Sequence, residues 1–335
     1  MPILLTGGTG YIGSHTALAL LAAGHEPVLF DDFSNSSPQV VERLSGLAGH
    51  RVEAIRGKIQ DRDLLAATLK SRGIEAVVHL AARKSVAESV ADPLSYHLDN
   101  VGGLLALLEA MESAAVRTIV FSSSATVYGD PELLPIPEEH PARPANPYGQ
   151  TKLICETMLS DLARADRGWR VSLLRYFNPV GAHPSGLIGE EPRGTPTNLM
   201  PLLVGAALGH SPPLPIFGRD YPTADGTAVR DYLHVADLAE GHVAALAALG
   251  RGDPLQLFNL GTGRGTSVLE LIVAFEQATG QSVPTTDAGR RSGDVAQLFA
   301  AVGRAERDLG WRATRGLAEM CADSWRFAER NFRQV

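Results

Sequence analysis

Short apolar runs alternate with longer amphipathic stretches along the first half of this chain. Residues 3–6, 27–30, 51–56, 76–80, 118–124 and 171–176 are strand-like, each nearly continuous in apolar character. Between them, residues 11–23, 61–71, 94–113 and 148–164 carry helical periodicity. Uniformly apolar strands separated by helices predict an α/β fold, a doubly wound parallel sheet covered on both faces. After residue 177 the texture changes. Residues 181–201 and 211–228 are rich in Pro, Gly and Thr, with strand-like pieces at 214–217 and 255–260. Helical patterns return at 235–249, 267–279, 304–309 and 317–332. The expected division is a first domain over 1–177, joined by part of 229–262, and a smaller α/β lobe over 178–335, loop-built and suited to closing over a ligand. There is no internal repeat or low-complexity tract.

The first strand–helix step carries candidate chemistry. Ile3-Leu4-Leu5-Thr6 runs into Gly7-Gly8-Thr9-Gly10-Tyr11-Ile12-Gly13, where the helical pattern begins, to stop at Gly24. Strand, glycine turn and helix form the setting a dinucleotide fingerprint requires. The glycines let the backbone approach a pyrophosphate, and the free amides of the helix start stabilise it. Asp31-Asp32 ends the next strand, about 20 residues further on, where a carboxylate accepts from ribose hydroxyls and repels a 2′-phosphate; NAD is favoured over NADP. The sheet is thus expected to be Rossmann-type, with ligands beyond the carboxyl ends of its strands, at residues 7–12, Asp31, 80–84, 122–124 and 176–178.

One of those strand ends is Ser122-Ser123-Ser124. Tyr148 and Lys152 follow, four positions apart at a helix start and so on one face. A free phenol, with a pKa of about 10, is a poor base at neutral pH. A nearby ammonium and a positive nicotinamide ring both favour the phenolate. Tyr148 can then take a proton from a sugar hydroxyl held by Ser124 while the carbon gives up its hydride. The Y-x-x-x-K spacing alone recurs on many helices; the fingerprint upstream gives it meaning. In the loop-rich half, Arg230 and the pair Arg290-Arg291 with Asp294 offer the planar forks that suit phosphates, although surface arginines are common. Gly261-Thr262-Gly263-Arg264-Gly265 resembles a second phosphate loop but reads better as a tight turn.

Composition narrows the classes. Acidic residues outnumber basic ones, 37 to 30, and no basic tract stands out, which argues against nucleic acid as a partner. No apolar run approaches the ~18 residues of a membrane span. Met1-Pro2-Ile3 enters a strand at once, with no basic leader, so a cytoplasmic enzyme is expected. The two cysteines, Cys155 and Cys321, are expected as buried free thiols. The ten histidines include no H-E-x-x-H or H-x-H, so no metal site is expected; His15, His79, His183 and His234 read as structural. The absence of a G-x-S-x-G elbow removes a hydrolase reading of the serines.

Several runs together resemble the UDP-glucose 4-epimerase family, a branch of the extended short-chain dehydrogenases/reductases. They are Thr6 to His15, FSSSATVYGD at 121–130, LRYFNPVGAHPSG at 174–186, Asn198-Leu199-Met200-Pro201, residues 220–227 and Val229-Arg230-Asp231-Tyr232. The resemblance implies NAD contacts at Gly7, Gly10, Tyr11, Ile12, Gly13, Asp31, Asp32, Asn35, Ser36, Lys58, Ile59, Leu80, Ala81, Ala82, Lys84, Asp99 and Phe177. It implies Ser124, Tyr148 and Lys152 as the catalytic set, touching both cofactor and sugar. It places a UDP-hexose against Lys84, Asn178, Asn198, Leu199, Pro215, Ile216, Phe217, Arg230, Arg291, Asp294 and Leu298. It further implies oxidation at C4 by tightly held NAD⁺, rotation of the keto sugar, return of the hydride, and a homodimer formed through residues 94–113 and 148–164. Lys58 departs from the family's usual aspartate, and Asp32 and Asp99 from its common asparagines. Leu298 stands where the family often has tyrosine, or a smaller residue in members that take N-acetylated sugars, and its intermediate size suggests weak activity on UDP-N-acetylglucosamine. Ala125-Thr126 lacks the acid pair that a 4,6-dehydratase would need. The alternatives are a plain dehydrogenase releasing NADH, epimerisation of another UDP-sugar such as xylose or glucuronate, and an NAD-binding regulator on the same fold.

Overall fold

The computed structural model describes residues 1–194, 196–291 and 293–332. Seven parallel strands form its centre: β1 (Pro2–Thr6), β2 (Glu26–Asp31), β3 (Glu53–Arg56), β4 (Ala76–His79), β5 (Thr118–Ser124), β6 (Arg170–Tyr176) and β11 (Leu255–Leu260). Their spatial order is β11-β6-β5-β4-β1-β2-β3, so the winding reverses direction between β1 and β4, where a doubly wound sheet opens its ligand crevice.

Alternation along β1 explains the two faces. Ile3 and Leu5 point to a core shared with α1 (Tyr11–Ala22) and α9 (Val235–Leu249), where Ala17, Leu20, Leu238 and Leu246 pack. Leu4 points the other way, to a core with Leu65, Leu104, Leu108 and Leu159 from α3 (Arg62–Ser71), α6 (Gly103–Ser113) and α7 (Pro147–Ala165). Both faces are dry, hence the near-continuous apolar strands.

The first half departs from expectation in two places. A helix, α2 (Gln39–Ala48), follows the turn at 35–38, and Val40, Val41, Leu44 and Leu47 place its apolar side on the core. The helix expected over 94–113 is α5 (Pro93–Tyr96), a π-helical turn at His97–Gly102 and α6, and an unexpected short helix, α4 (Val86–Ala91), precedes it. Asp92 separates α4 from α5, accepting from Ser95 N at 3.3 Å as the N-cap of α5. The wide turn drops Asn100 inward, where its amide exchanges hydrogen bonds with the backbone of Arg83 (2.8 and 3.1 Å) and donates to Thr151 Oγ1 at 3.0 Å.

The remaining elements build a second packed unit. They include β7 (Asn178–Val180), α8 (Leu199–Leu208), β8 (Leu214–Phe217), β9 (Val229–Arg230), β10 (Tyr232–His234), β12 (Thr266–Ser267), α10 (Val268–Thr279), β13 (Thr285–Ala288), β14 (Gln297–Leu298) and α11 (Leu317–Phe332). Its core holds Met200, Leu203, Ile216, Leu271, Phe275 and Trp325. The helix expected at 304–309 is a π-helical turn, Ala305–Leu309. Cys155 and Cys321 are buried and unpaired. Among the described residues no helix is long and apolar enough to cross a membrane, and no group of His, Cys, Asp or Glu could hold a metal.

Candidate active site

The glycine turn between β1 and α1 is closed on itself. Gly7 has φ +68°, and a Cβ there would lie 2.8 Å from Ala81 N. A Cβ on Gly13 would lie 2.2 Å from Gly7 O. Only bare backbone fits, and it keeps the turn low under α1. The α1 N-terminus at Gly10 has no side-chain cap and no acidic residue in its first turn, so its amides stay available to an anion. Asp31, at the end of β2, accepts from Thr9 N (3.1 Å), Phe33 N (2.9 Å) and Ser36 Oγ (3.3 Å), which fixes its carboxylate at the rim. These features fit a dinucleotide: bare amides for its pyrophosphate and a fixed carboxylate for its ribose.

The other rim residues differ in exposure. Leu80 and Ala81 continue β4 past the crevice, Leu80 N donating to Thr6 O and Ala81 N to Thr6 Oγ1. Ala82 is exposed beside them, and Phe177 is buried where β6 ends. Tyr11 donates to Gly181 O at 2.7 Å, while Ile12 packs against the core. Asp32 accepts from Ser34 N in a local turn, and Asn35 and Lys58 are exposed. Ile59 seats on Gly103, where a Cβ would meet it at 2.6 Å. Asp99 accepts from Gln60 and lies 3.5 Å from Arg83.

Ser124, Tyr148 and Lys152 come together beside this rim. Asn146 caps α7 by accepting from Gly149 N at 2.9 Å, and Pro147 opens the helix, so Tyr148 stands in its first turn. Ser124 Oγ accepts from Thr126 N (3.2 Å) and Thr126 Oγ1 (2.9 Å), leaving its own proton for another acceptor. Lys152 is buried; its ammonium lies over the Phe121 ring and donates to Ser122 O at 2.7 Å. Burial pulls the Lys152 pKa down to about 8. Burial pushes the Tyr148 phenol up to about 12, with the hydrogen bond from Ser124 drawing it back. The lysine was expected to lower that pKa. Its ammonium donates to Ser122 O and stands 6.0 Å from the Tyr148 ring centre, so the lysine acts on the phenol from a distance while Ser124 is its direct hydrogen-bond partner.

A cavity lies in the second unit, between β7, α8 and the strands β8 and β9, and its Asn178 follows two residues after Tyr176, the β6 partner of Ser124. Asn178, Asn198, Leu199, Pro215 and Phe217 line it, with Arg230, Arg291 and Asp294. The Arg291 guanidinium lies 4.3 Å from the Phe217 ring centre. Arg230 donates to Val229 O and Val295 O at 2.9 Å each, which fixes its direction. Ile216 alternates inward and is fully buried in the lobe's core. Leu298 is buried against Phe177, Ala125 and Tyr128 rather than on the cavity wall. Lys84 is exposed and pairs with Glu190 at 3.0 Å. A shallow recess at Arg219 and Arg290 is already neutralised by Asp287 and Asp220, each paired at 2.8 Å.

The sequence reading missed Glu190 and Tyr232, which also line the cavity. Glu190 bridges Lys84 and the Asn198 amide, at 3.0 and 2.7 Å, from a loop without periodicity, so no pattern announced it. The Gly261-Thr262-Gly263 turn binds an anion of the chain's own. Asp231, fully buried, accepts from Thr262 N (2.7 Å) and Thr262 Oγ1 (2.6 Å) on one oxygen, and from Gly263 N (3.0 Å) and Ala300 N (3.1 Å) on the other. Of the histidines, His79 pairs with Thr6 Oγ1 at 2.7 Å and His15 Nδ1 lies 2.8 Å from Tyr11 O, and burial drives both down to a pKa of about 3.

The geometry has counterparts among known proteins. A model of the NAD dependent epimerase/dehydratase family matches residues 3–261. The UDP-glucose 4-epimerase of Bacillus subtilis is 53% identical over 331 residues, 99% of this chain and 98% of that one. A UDP-glucose 4-epimerase structure from Stenotrophomonas maltophila, with bound NAD and formylated UDP-arabinopyranose, superposes with a TM-score of 0.98 at 48% identity, covering 100% of both chains. The UDP-Glc/GlcNAc 4-epimerase structure of Campylobacter jejuni gives a TM-score of 0.85 at 33% identity, covering 98% of this chain and 99% of that one. With the fingerprint, the Ser-Tyr-Lys set and these matches in agreement, the chain belongs to the NAD dependent epimerase/dehydratase family.

Proposed function

We propose that the chain interconverts UDP-glucose and UDP-galactose by reversible oxidation at C4, and that Ser124, Tyr148 and Lys152 are its catalytic residues. The observation that carries this is their meeting point, between the bare amides of α1 and the arginine-lined cavity. Residues 1–177 with part of 229–262, namely α9 and β11, form the cofactor half in this reading, since β11 pairs with β6 and α9 packs beside α1; the rest of 178–335 forms the sugar-nucleotide half.

The cofactor's contribution, when bound, is a hydride acceptor for C4 that later gives the hydride back. Gly7, Gly10 and Gly13 offer backbone to its pyrophosphate, and Asp31 accepts from its ribose. The Tyr148 Oη takes the proton of the 4-hydroxyl and returns it when the opposite face is reduced. The Ser124 Oγ, fixed by Thr126, donates toward that phenol and orients the sugar hydroxyl. Lys152 supplies the buried positive charge behind the pair and, in its protonated form, favours the phenolate. Arg230 and Arg291 grip the diphosphate, so the sugar can turn over without the nucleotide leaving. No external redox partner is consumed.

Replacing Tyr148 by Phe tests this. Turnover of UDP-galactose should fall by about 10²–10⁴-fold while NAD stays bound; unchanged turnover refutes the assignment. Net accumulation of NADH during wild-type turnover would mark a dehydrogenase instead.

A homodimer in the cytoplasm completes the proposal. Its supports are the two unpaired buried thiols and the run of outward leucines, Leu94, Leu98 and Leu105, beside α7. A monomer mass by light scattering at micromolar concentration would remove the dimer.

A further inference from the structure

Between α7 and the strands β5 and β6 lies a buried chain of polar groups that the proposed mechanism does not use. Glu156 stands one turn after Lys152 on α7, and its side chain is 6% exposed. One carboxylate oxygen accepts from Ser123 Oγ at 2.5 Å and Arg175 Nε at 2.9 Å, the other from Arg175 Nη2 at 2.7 Å. Ser123 and Arg175 face each other across β5 and β6. Arg175 continues inward, donating to Glu138 O at 3.2 Å, with its guanidinium 4.7 Å from the Tyr128 ring centre. The Glu138 carboxylate then accepts from Asn259 N at 3.0 Å on β11. A fork of this kind costs a great deal of desolvation, and an apolar pair would hold two strands and a helix together as well. Its placement therefore calls for a reason beyond stability.

We propose that Glu156 is a positioning residue for the proton transfer: through the Ser123–Arg175 fork it fixes α7 against the end of β5, and its negative charge keeps the neighbouring Lys152 an ammonium. The inference rests on Tyr148 and Lys152 being the proton-transfer pair. Lys152 is buried and has one hydrogen-bond acceptor, the neutral Ser122 carbonyl. The titratable and charged groups around it are Tyr148, Cys155 and Glu156 on its own helix, His79 on β4, and Arg175 and Tyr176 on β6. Burial holds His79 neutral and keeps the Cys155 thiol and the Tyr176 phenol protonated, and Tyr148 carries charge only as the proposed base, so none of these supplies a standing negative charge. Glu156 remains as the anion. Burial depresses the lysine's affinity for its proton, and Glu156 opposes that loss.

The sign follows. Removing the carboxylate charge lowers the pH at which Lys152 gives up its proton, so turnover fails earlier on the alkaline side. In the full-length protein with its bound NAD, Glu156→Gln is expected to lower kcat for UDP-galactose about fivefold near pH 8, with KM and NAD content close to wild type. The alkaline limb of the kcat profile should move down by about one pH unit, since a tenfold change in proton affinity is one unit. Glu156→Asp keeps the charge but loosens the fork; the limb should return toward its wild-type position while kcat stays reduced. A folded Glu156→Gln protein with a wild-type pH profile overturns the proposal. If that variant does not fold, Glu156→Asp decides: lower kcat at unchanged KM supports the role, wild-type kcat refutes it. Tyr148→Phe, run alongside, separates the two failures. Activity in Tyr148→Phe removes the underlying mechanism, whereas an inactive Tyr148→Phe beside an unaffected Glu156→Gln removes only this inference.

Discussion

Asp231 offers the sharpest test of how the substrate side of the site is held. Its carboxylate is fully buried and meets four donors, three of them backbone amides from two separate loops. In Asp231→Asn the oxygen can stay with Thr262, which places the amide NH₂ against the N–H groups of Gly263 and Ala300. Two buried amides lose their acceptor and face a donor, at about 1–3 kcal/mol each. Relief from burying a charge offsets part of this, leaving a net cost of about 3 kcal/mol. Asp231→Ala strands all three amides and should cost more, about 5 kcal/mol, unless water enters. For a chain of this length the asparagine variant should unfold about 4 °C below wild type. The effect should also reach the ligand. Ala300 is two residues beyond Leu298, and Asp231 adjoins Arg230, so KM for the UDP-sugar should rise more than kcat falls. The measurements are thermal unfolding and steady-state kinetics on the same preparations. An asparagine variant as stable as wild type would mean that the four-donor cradle does not hold this region together.

Two further outcomes probe the cofactor and sugar ends. Gly13→Ala puts a methyl 2.2 Å from Gly7 O, and it should purify with little NAD released on denaturation while remaining folded; full NAD content would contradict the closed turn. Leu298→Ala should raise turnover of UDP-N-acetylglucosamine, a weak activity expected of the wild type. The same change should lower stability by about 2–5 kcal/mol, because this leucine is buried against Phe177 and Ala125. Background-level turnover in both proteins would exclude Leu298 from sugar selection.

How much of this was legible differs by region. The central sheet was readable because strands buried on both faces carry a signal in every residue, as in β1 and β5. The glycine turn and the Tyr148–Lys152 pair were readable because their chemistry is local: a turn and one face of one helix. The π-helical turn inside the helix expected over 94–113 was not, since apolar spacing continues across it and only the inward pull on Asn100 reveals the change. α2 was readable from Val40, Val41, Leu44 and Leu47, but the turn before it masked the pattern. Glu190 and Glu156 were out of reach. Each owes its meaning to partners distant in sequence, Lys84 for one and Arg175 for the other, and a buried acid on a helix looks like any exposed one until its neighbours are known.

The return of β11 to the sheet governs how the protein can be made. When β6 has been synthesised, its outer edge has no neighbour until residues 255–260 arrive, after most of the second unit has been translated. At about 5–20 residues per second that edge stays open for roughly 4–16 s. During this interval an apolar parallel strand presents unpaired amides and carbonyls to any other nascent chain. A fragment ending near residue 177 would carry the same open edge permanently. It should aggregate rather than bind dinucleotide, even though it contains the glycine turn, Asp31 and all three proposed catalytic side chains.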